Sequence, residues 1–320
     1  MHSAKTNRHK VTLIGLGAMG RRHARVFAAL ADRFEVVGCY DVRPDAPLPA
    51  HVPRLGSEAE AITRGEVVIV ATPMNAHAET AGRALAAGRH VLVEKPLCAT
   101  AAQAATLVAQ AARGEAHLFV GHSERFNPVV RALARLVRDD QLVAIDLQRV
   151  GPSRPADCGV LVNLGVHDLD LAAYLGGGDI ALRGAVGGRT TTSPAASGGE
   201  DFAHVLFETA RGASGHLYVD RSVATKRRAI TLATTRWLYE GDLLTHRLLR
   251  TMRTGGAPSD VPLLLDEPLA LQALAVADAL DGRSQREIAT GIDGAHAVAL
   301  AERAAACCYV PEKLSLLAQP

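Results

Sequence analysis

Gly15-Leu16-Gly17-Ala18-Met19-Gly20 has the spacing of a pyrophosphate cradle. The first two glycines let backbone N–H groups approach an anion at a helix N-terminus, and the third lets that helix lie close on the preceding strand. Ala18 and Met19 complete the turn. Asp41 follows 21 residues after Gly20, where a carboxylate accepts hydrogen bonds from the adenosine ribose hydroxyls and repels a 2′-phosphate. Arg43, two residues on, could instead hold that phosphate, so NAD is favoured, with NADP as the alternative. Thr72 and Pro73 are placed to line the nicotinamide side. Asn75 and His77 either join the cofactor site or cap and pack the following helix. Glu94-Lys95-Pro96 carries an ammonium group, and a lysine in a cleft beside oxidised nicotinamide is suited to proton transfer.

These positions need strands that end on one edge of a sheet. Over the first third of the chain, short apolar runs alternate with amphipathic stretches, the pattern of a parallel sheet covered by helices. It predicts strands over 11–14, 34–40, 67–71, 90–93 and 118–120, and helices over 18–30, 76–87 and 100–112. The residues named above then fall at carboxyl ends of strands, where doubly wound sheets bind ligands. After Asn127-Pro128 longer β-patterned stretches take over at 142–150, 203–208, 215–219 and 229–233, with a helix over 161–175 and two Ala- and Leu-rich helices over 268–280 and 293–308. The expected fold is α/β: a doubly wound parallel (Rossmann) sheet in residues 1–122, then an α+β domain on a mostly antiparallel open sheet in residues 123–320.

Composition narrows the function. Among 320 residues, 48% are hydrophobic and 21% charged, enough apolar surface for a sizeable core. The net charge is +2, and the basic residues are dispersed apart from Lys226-Arg227-Arg228, so counterion-driven nucleic-acid binding is not expected. No apolar run approaches the roughly 18–20 residues that span a bilayer, and 1–10 is polar; a cytoplasmic protein is expected. The five cysteines include no C-x-x-C pair, so neither a disulfide framework nor a structural metal site is expected.

Read in order, Gly15 to Gly20, Thr72-Pro73 with His77, Glu94-Lys95-Pro96, Gly121-His122-Ser123-Glu124-Arg125-Phe126-Asn127-Pro128 and Gly159 to Asp170 resemble the Gfo/Idh/MocA oxidoreductases over essentially the whole chain. The resemblance implies hydride transfer between nicotinamide and the hydroxyl carbon of a sugar or cyclitol, with Lys95 and His167 in the active site. Alcohol oxidation asks for such a pair, since a base must take the O–H proton as hydride leaves the carbon. His167 is assigned as general acid/base and Lys95 as the group that positions and polarises the oxygen.

Many family members carry Asp four residues before this histidine, where Asn163 stands here. An amide hydrogen-bonds but takes no proton and lends an imidazolium no charge. Asp170, one turn beyond His167, could supply that charge, unless it and Asp168 are solvated or capping residues. The stretch from Arg149 to Val160 is similar to the branch acting on nucleotide-linked amino sugars, the UDP-N-acetylglucosamine 3-dehydrogenase-like branch. By that likeness Arg125 and Arg154 contact anions or hydroxyls and Asn127 makes a polar contact; each reads equally as a salt-bridge or turn residue. Asn163 joins Lys95 and His167 in the substrate set.

An NAD(P)-dependent sugar dehydrogenase acting on CH–OH is therefore expected, on a nucleotide-linked amino sugar or an aminoglycoside-like cyclitol. A redox-neutral epimerase or glycosidase-like enzyme with tightly held NAD, and a non-catalytic dinucleotide-binding redox sensor, remain alternatives. The resemblance and the open sheet imply a homodimer or homotetramer.

Overall fold

Val67-Val68-Ile69-Val70 is buried at every position, as a strand covered on both faces must be. It is the third strand of a six-stranded sheet in the computed structural model, which describes residues 8–152, 158–190, 199–283 and 285–308. In chain order this part comprises β1 (His9–Ile14), α1 (Ala18–Ala29), β2 (Phe34–Tyr40), α2 (Glu58–Arg64), β3 (Val67–Val70), α3 (Met74–Ala86), β4 (His90–Val93), α4 (Ala101–Arg113) and β5 (Leu118–Val120), then a 3₁₀ turn, Ser123–Phe126. Next come α5 (Pro128–Leu136), β6 (Leu142–Val150), a π-helical turn (Leu161–Gly165), α6 (Val166–Gly176), β7 (Ile180–Gly188), β8 (Phe202–Thr209), β9 (Ser214–Asp220), β10 (Arg227–Thr234), β11 (Trp237–Asp242), β12 (Arg247–Met252) and β13 (Ser259–Asp260). The chain closes with α7 (Pro268–Leu280), β14 (Ala289–Thr290) and α8 (Gly291–Cys307).

The first sheet runs β14-β5-β4-β3-β1-β2, parallel except for β14. Chain direction across the sheet reverses between β1 and β3, which makes their carboxyl ends the binding edge. Helix α1 buries Gly20, His23, Ala24, Val26 and Phe27, and Phe27 meets Phe34 edge-on with centroids 4.6 Å apart. The second sheet runs β13-β12-β11-β10-β6-β9-β8-β7; β6 and β9 pair parallel, the other neighbours antiparallel. Its inner face, including Ile145, Leu147, Val205, Phe207, Leu217 and Val219, forms one core with Val129, Leu133, Leu169 and Ala172 of α5 and α6. Its outer face carries His204 stacked on Tyr218, with Val186 and Leu206 65% and 55% exposed.

Two compact units result, Met1–Phe126 with Asp266–Val298 and Asn127–Leu265 with Ala299–Pro320. The linear division at 122/123 places both tail helices in the second domain. Instead Leu269, Ala273 and Val276 of α7 pack with Val26 and Phe27 of the first unit, whereas Leu300, Ala301 and Ala304 of α8 join the core of the second. An apolar stripe shows that a helix needs cover, and does not show which core provides it. The helix expected over 161–175 begins as the π-helical turn, where the Glu200 carboxylate accepts from the Leu161 N–H at 2.9 Å. Among the described residues no helix is long and apolar enough to cross a membrane, and no cluster of three His, Cys, Asp or Glu gathers as a metal site.

Candidate active site

The glycines of the β1–α1 turn are required for different reasons. Gly15 adopts φ +95°, and a Cβ there would lie 2.6 Å from the Ala71 carbonyl oxygen; one on Gly20 would lie 1.9 Å from that of Gly15. Both therefore serve close packing at the strand ends. Gly17 is the opposite case: a Cβ would meet nothing within 4 Å, and as N-cap it gives α1 no side-chain cap. Ala18 is exposed and Met19 half-buried beside it. At the end of β3, the Thr72 hydroxyl is buried with no hydrogen-bond partner among the described residues. Uncapped N–H groups beside open space, and an orphaned hydroxyl one strand away, fit a dinucleotide: Gly15 to Gly20 would hold the pyrophosphate and Thr72 the nicotinamide side.

Asp41 is already engaged. Its Oδ2 accepts from the Leu16 N–H at 2.6 Å and its Oδ1 from the N–H and Nε of Arg43 at 2.9 and 3.1 Å. Burial alone would raise its pKa, but these hydrogen bonds and the Arg43 charge hold it below the ordinary carboxylate range. The charge that would attract a 2′-phosphate is thus neutralised by the carboxylate that repels one. We expect NADH to bind at least about tenfold more tightly than NADPH, and Asp41→Ser, which frees Arg43, to bring the two close to parity. Fluorescence titration of both reduced nucleotides checks this, and an unchanged ratio would contradict the role given to Asp41.

Lys95 lies half-buried at the end of β4, with a cis peptide bond to Pro96. The Glu94 side chain turns inward: its Oε1 lies 2.6 Å from His23 Nε2, and its Oε2 accepts from the Lys95 N–H at 3.2 Å. Burial would raise the Glu94 pKa, yet the His23 hydrogen bond, the His23 charge and Lys95 together hold it below the ordinary value of 4.5. Since the folded state then takes up protons less readily than the unfolded chain, Glu94 contributes its full stability above the unfolded pKa and loses it as pH falls through the lower, folded value. Thermal melts between pH 6 and 3 should therefore decline on the acid side, on the order of pH 4 and below, with Glu94→Gln removing part of the slope. An identical slope in the variant would contradict this.

His77 is packed between two loops. It is 2% exposed, with Nδ1 2.8 Å from the Pro96 carbonyl oxygen and Nε2 2.9 Å from that of Thr72. Burial pushes its pKa below the ordinary value against the opposing pull of the carbonyls. It ties the loop after β3 to the loop after β4. Pro73 is the exposed N-cap of α3 and Asn75 an exposed residue of its first turn.

Between Gly121 and Asn127, the polar residues His122, Arg125 and Asn127 are buried, and Ser123 and Glu124 are half-buried. Arg125 is 3% exposed and ion-paired with Asp293 of α8 at 3.1 Å, within the first unit. Asn127 caps α5, accepting from the Val129 N–H at 3.1 Å, while its amide N donates to the Leu243 carbonyl at 3.0 Å. Side-chain type at a turn does not distinguish such capping from a substrate contact, and the structure gives both residues packing duties. Arg154 lies outside the described residues.

His167 occupies the first turn of α6, half-buried, with Asn163 in the preceding π-helical turn. Asp168 and Asp170 are 1% and 2% exposed, so neither is a solvated helix residue. Asp168 takes a two-pronged contact from Arg149 of β6, Nε to Oδ2 at 2.6 Å and Nη2 to Oδ1 at 3.2 Å. The sequence reading missed this pair, and it missed His23. A signal for His23 exists, because it shares the buried stripe Gly20, His23, Ala24, Phe27, and a polar residue on such a stripe needs a partner. Lys95 belongs to the first unit and His167 to the second.

Known proteins are similar to this chain in sequence and fold. Residues 9–122 match the oxidoreductase family with NAD-binding Rossmann fold, and residues 101–238 the GFO/IDH/MocA C-terminal domain. UDP-N-acetylglucosamine 3-dehydrogenase from Acidithiobacillus ferrooxidans is 28% identical over 265 residues, 81% of this chain and 82% of that protein. Its solved structure shares the fold with a TM-score of 0.84 at 24% identity, over 94% of this chain and 98% of that one. Inositol 2-dehydrogenase from Pseudarthrobacter chlorophenolicus is 31% identical over 229 residues, 66% of this chain and 67% of that protein. GenD2 from gentamicin A biosynthesis, solved in complex with NAD, is 26% identical with a TM-score of 0.77 over 96% of each chain. By its two matched domains and these relatives, the chain belongs to the Gfo/Idh/MocA family of oxidoreductases and carries that family's NAD-binding Rossmann domain.

Proposed function

We propose that this oxidoreductase is a sugar dehydrogenase, moving hydride between NAD and a secondary alcohol carbon of a nucleotide-linked amino sugar or an aminoglycoside-like cyclitol. The observation that carries the reading is Lys95 at the end of β4, in the same sheet and at the same edge as the glycine turn after β1 and Thr72 after β3. Bound NAD supplies the hydride acceptor. The Lys95 ammonium donates a hydrogen bond to the reacting oxygen and so favours its negative charge. His167 takes the hydroxyl proton as the C–H hydride departs, and returns it in the reverse direction. Asp168, held by Arg149, fixes the turn that carries His167.

Relatives named for UDP-N-acetylglucosamine, for inositol and for gentamicin A biosynthesis support this substrate class. The test follows the absorbance of reduced nicotinamide with NAD and a panel of UDP-N-acetylglucosamine, inositols and aminoglycoside precursors. Growth of the band with one class of sugar is expected. Product formed with no net reduction, from protein that copurifies with NAD, would replace the reading with a redox-neutral one.

We further propose that the protein acts in the cytoplasm and self-associates through the outer face of the second sheet, where Val186 and Leu206 flank the stacked His204 and Tyr218. A monomer in sedimentation equilibrium would remove the latter idea.

A further inference from the structure

Of the buried titratable groups outside the proposed reaction, His23 is the best defined. It lies in the second turn of α1, its side chain 1% exposed, and its Nε2 is 2.6 Å from Glu94 Oε1. Glu94 is itself confined: a Cβ on Gly121 would come within 3.1 Å of its Cα, Cδ and Oε1, tighter than an ordinary contact. The second carboxylate oxygen accepts from the Lys95 N–H, and His77 holds the other side of the segment through Pro96. One imidazole thus reaches the backbone of Lys95 through a single carboxylate. It does so from the helix whose uncapped N-terminus would face the pyrophosphate.

We propose that His23 is a positioning residue: through Glu94 it sets the backbone that carries Lys95 and links that lysine to the nucleotide-binding helix. The proposal rests on the assignment of Lys95 above. A short contact between a ring nitrogen and a carboxylate in a dry setting is stiff, and its loss leaves a buried carboxylate to find another donor. The Glu94-Lys95-Pro96 backbone then shifts, and displacement of a reacting group by about 1 Å costs on the order of a hundredfold in rate.

The test reads the lysine directly. Reductive methylation with carbon-13 formaldehyde labels all five lysines of the chain, and the Lys95 signal is the one absent from Lys95→Arg. In the native protein that signal is expected to respond to added NADH. In folded His23→Ala its titration midpoint should move by about half a pH unit or more and its NADH response should fall to under about half. His23→Gln, which keeps an N–H donor near the position of Nε2, should recover most of both. Native midpoint and response in folded His23→Ala would overturn the proposal. If His23→Ala does not fold, Glu94→Gln is read by its NADH response, which should likewise fall to under about half and whose native value would overturn the proposal, since the lost carboxylate charge by itself moves the Lys95 midpoint. The signal reports where the ammonium sits, whereas turnover of Lys95→Ala reports what it does. Failure of the positioning role and failure of the catalytic one are therefore separate results.

Discussion

Lys95→Ala is expected to lower kcat by about a thousandfold, within the range usual for a group that stabilises charge developing on the reacting oxygen, while NADH affinity changes by less than about threefold. The side chain is half-buried, and the groups that shape its loop are other residues: the Glu94 carboxylate on His23, and the Pro96 carbonyl against His77. Removing the ammonium should therefore leave the nucleotide cradle standing. Lys95→Arg should recover little, because a planar guanidinium is bulkier and holds its proton. His167→Ala should produce a loss of similar size, with KM for the sugar less affected than kcat, as expected for a group whose main interaction is made in the transition state. Stopped-flow hydride transfer and fluorescence titration of NADH measure the two quantities separately. Native turnover in both variants would remove Lys95 and His167 from the chemistry.

The second large effect is on stability. Arg149 and Asp168 have side chains only 3% and 2% exposed, so each is taken out of water and ion-paired there with the other. Asp168→Ala leaves a buried guanidinium without its carboxylate, and the cost of breaking such a pair is about 3–5 kcal/mol. For a unit of this size that lowers the melting temperature by roughly 10 °C. Replacing both partners by apolar residues, as in Arg149→Met with Asp168→Leu, should be milder than either single change, since no uncompensated charge remains. Turnover should fall with Asp168→Ala as well, because the pair holds the first turn of α6 against β6 and His167 lies on that turn. Calorimetry of the native protein, the single variants and the double variant tests the argument; single variants that melt within a degree of the native protein would refute it.

Much of the first unit was legible because its apolar runs are short and bounded by turn residues. The strands at Phe34–Tyr40, His90–Val93 and Leu118–Val120 stand where the pattern places them, and the glycine turn, Thr72 and Lys95 follow from them as ends of parallel strands. Less was legible where elements are short or polar. Helix α2 spans seven residues, and β11 and β12 mix exposed charge with a few buried positions, so neither builds a strong period. Nor do charged residues announce their partners. His23 and Glu94 are 71 positions apart, and Arg149 and Asp168 are 19 apart on a strand and a helix.

From the sequence alone follow the class of fold, the family, the dinucleotide turn and the identity of the chemical groups, because strand and helix periods and side-chain chemistry are local properties. Which of those groups are spent on the protein itself was decided only in three dimensions. Arg125 is ion-paired with Asp293, Asn127 caps α5, His77 joins two loops, and α7 packs in the first core. The physical reason is that a local pattern encodes how much of a residue must leave water, while the neighbour that compensates it is chosen by packing across the whole chain.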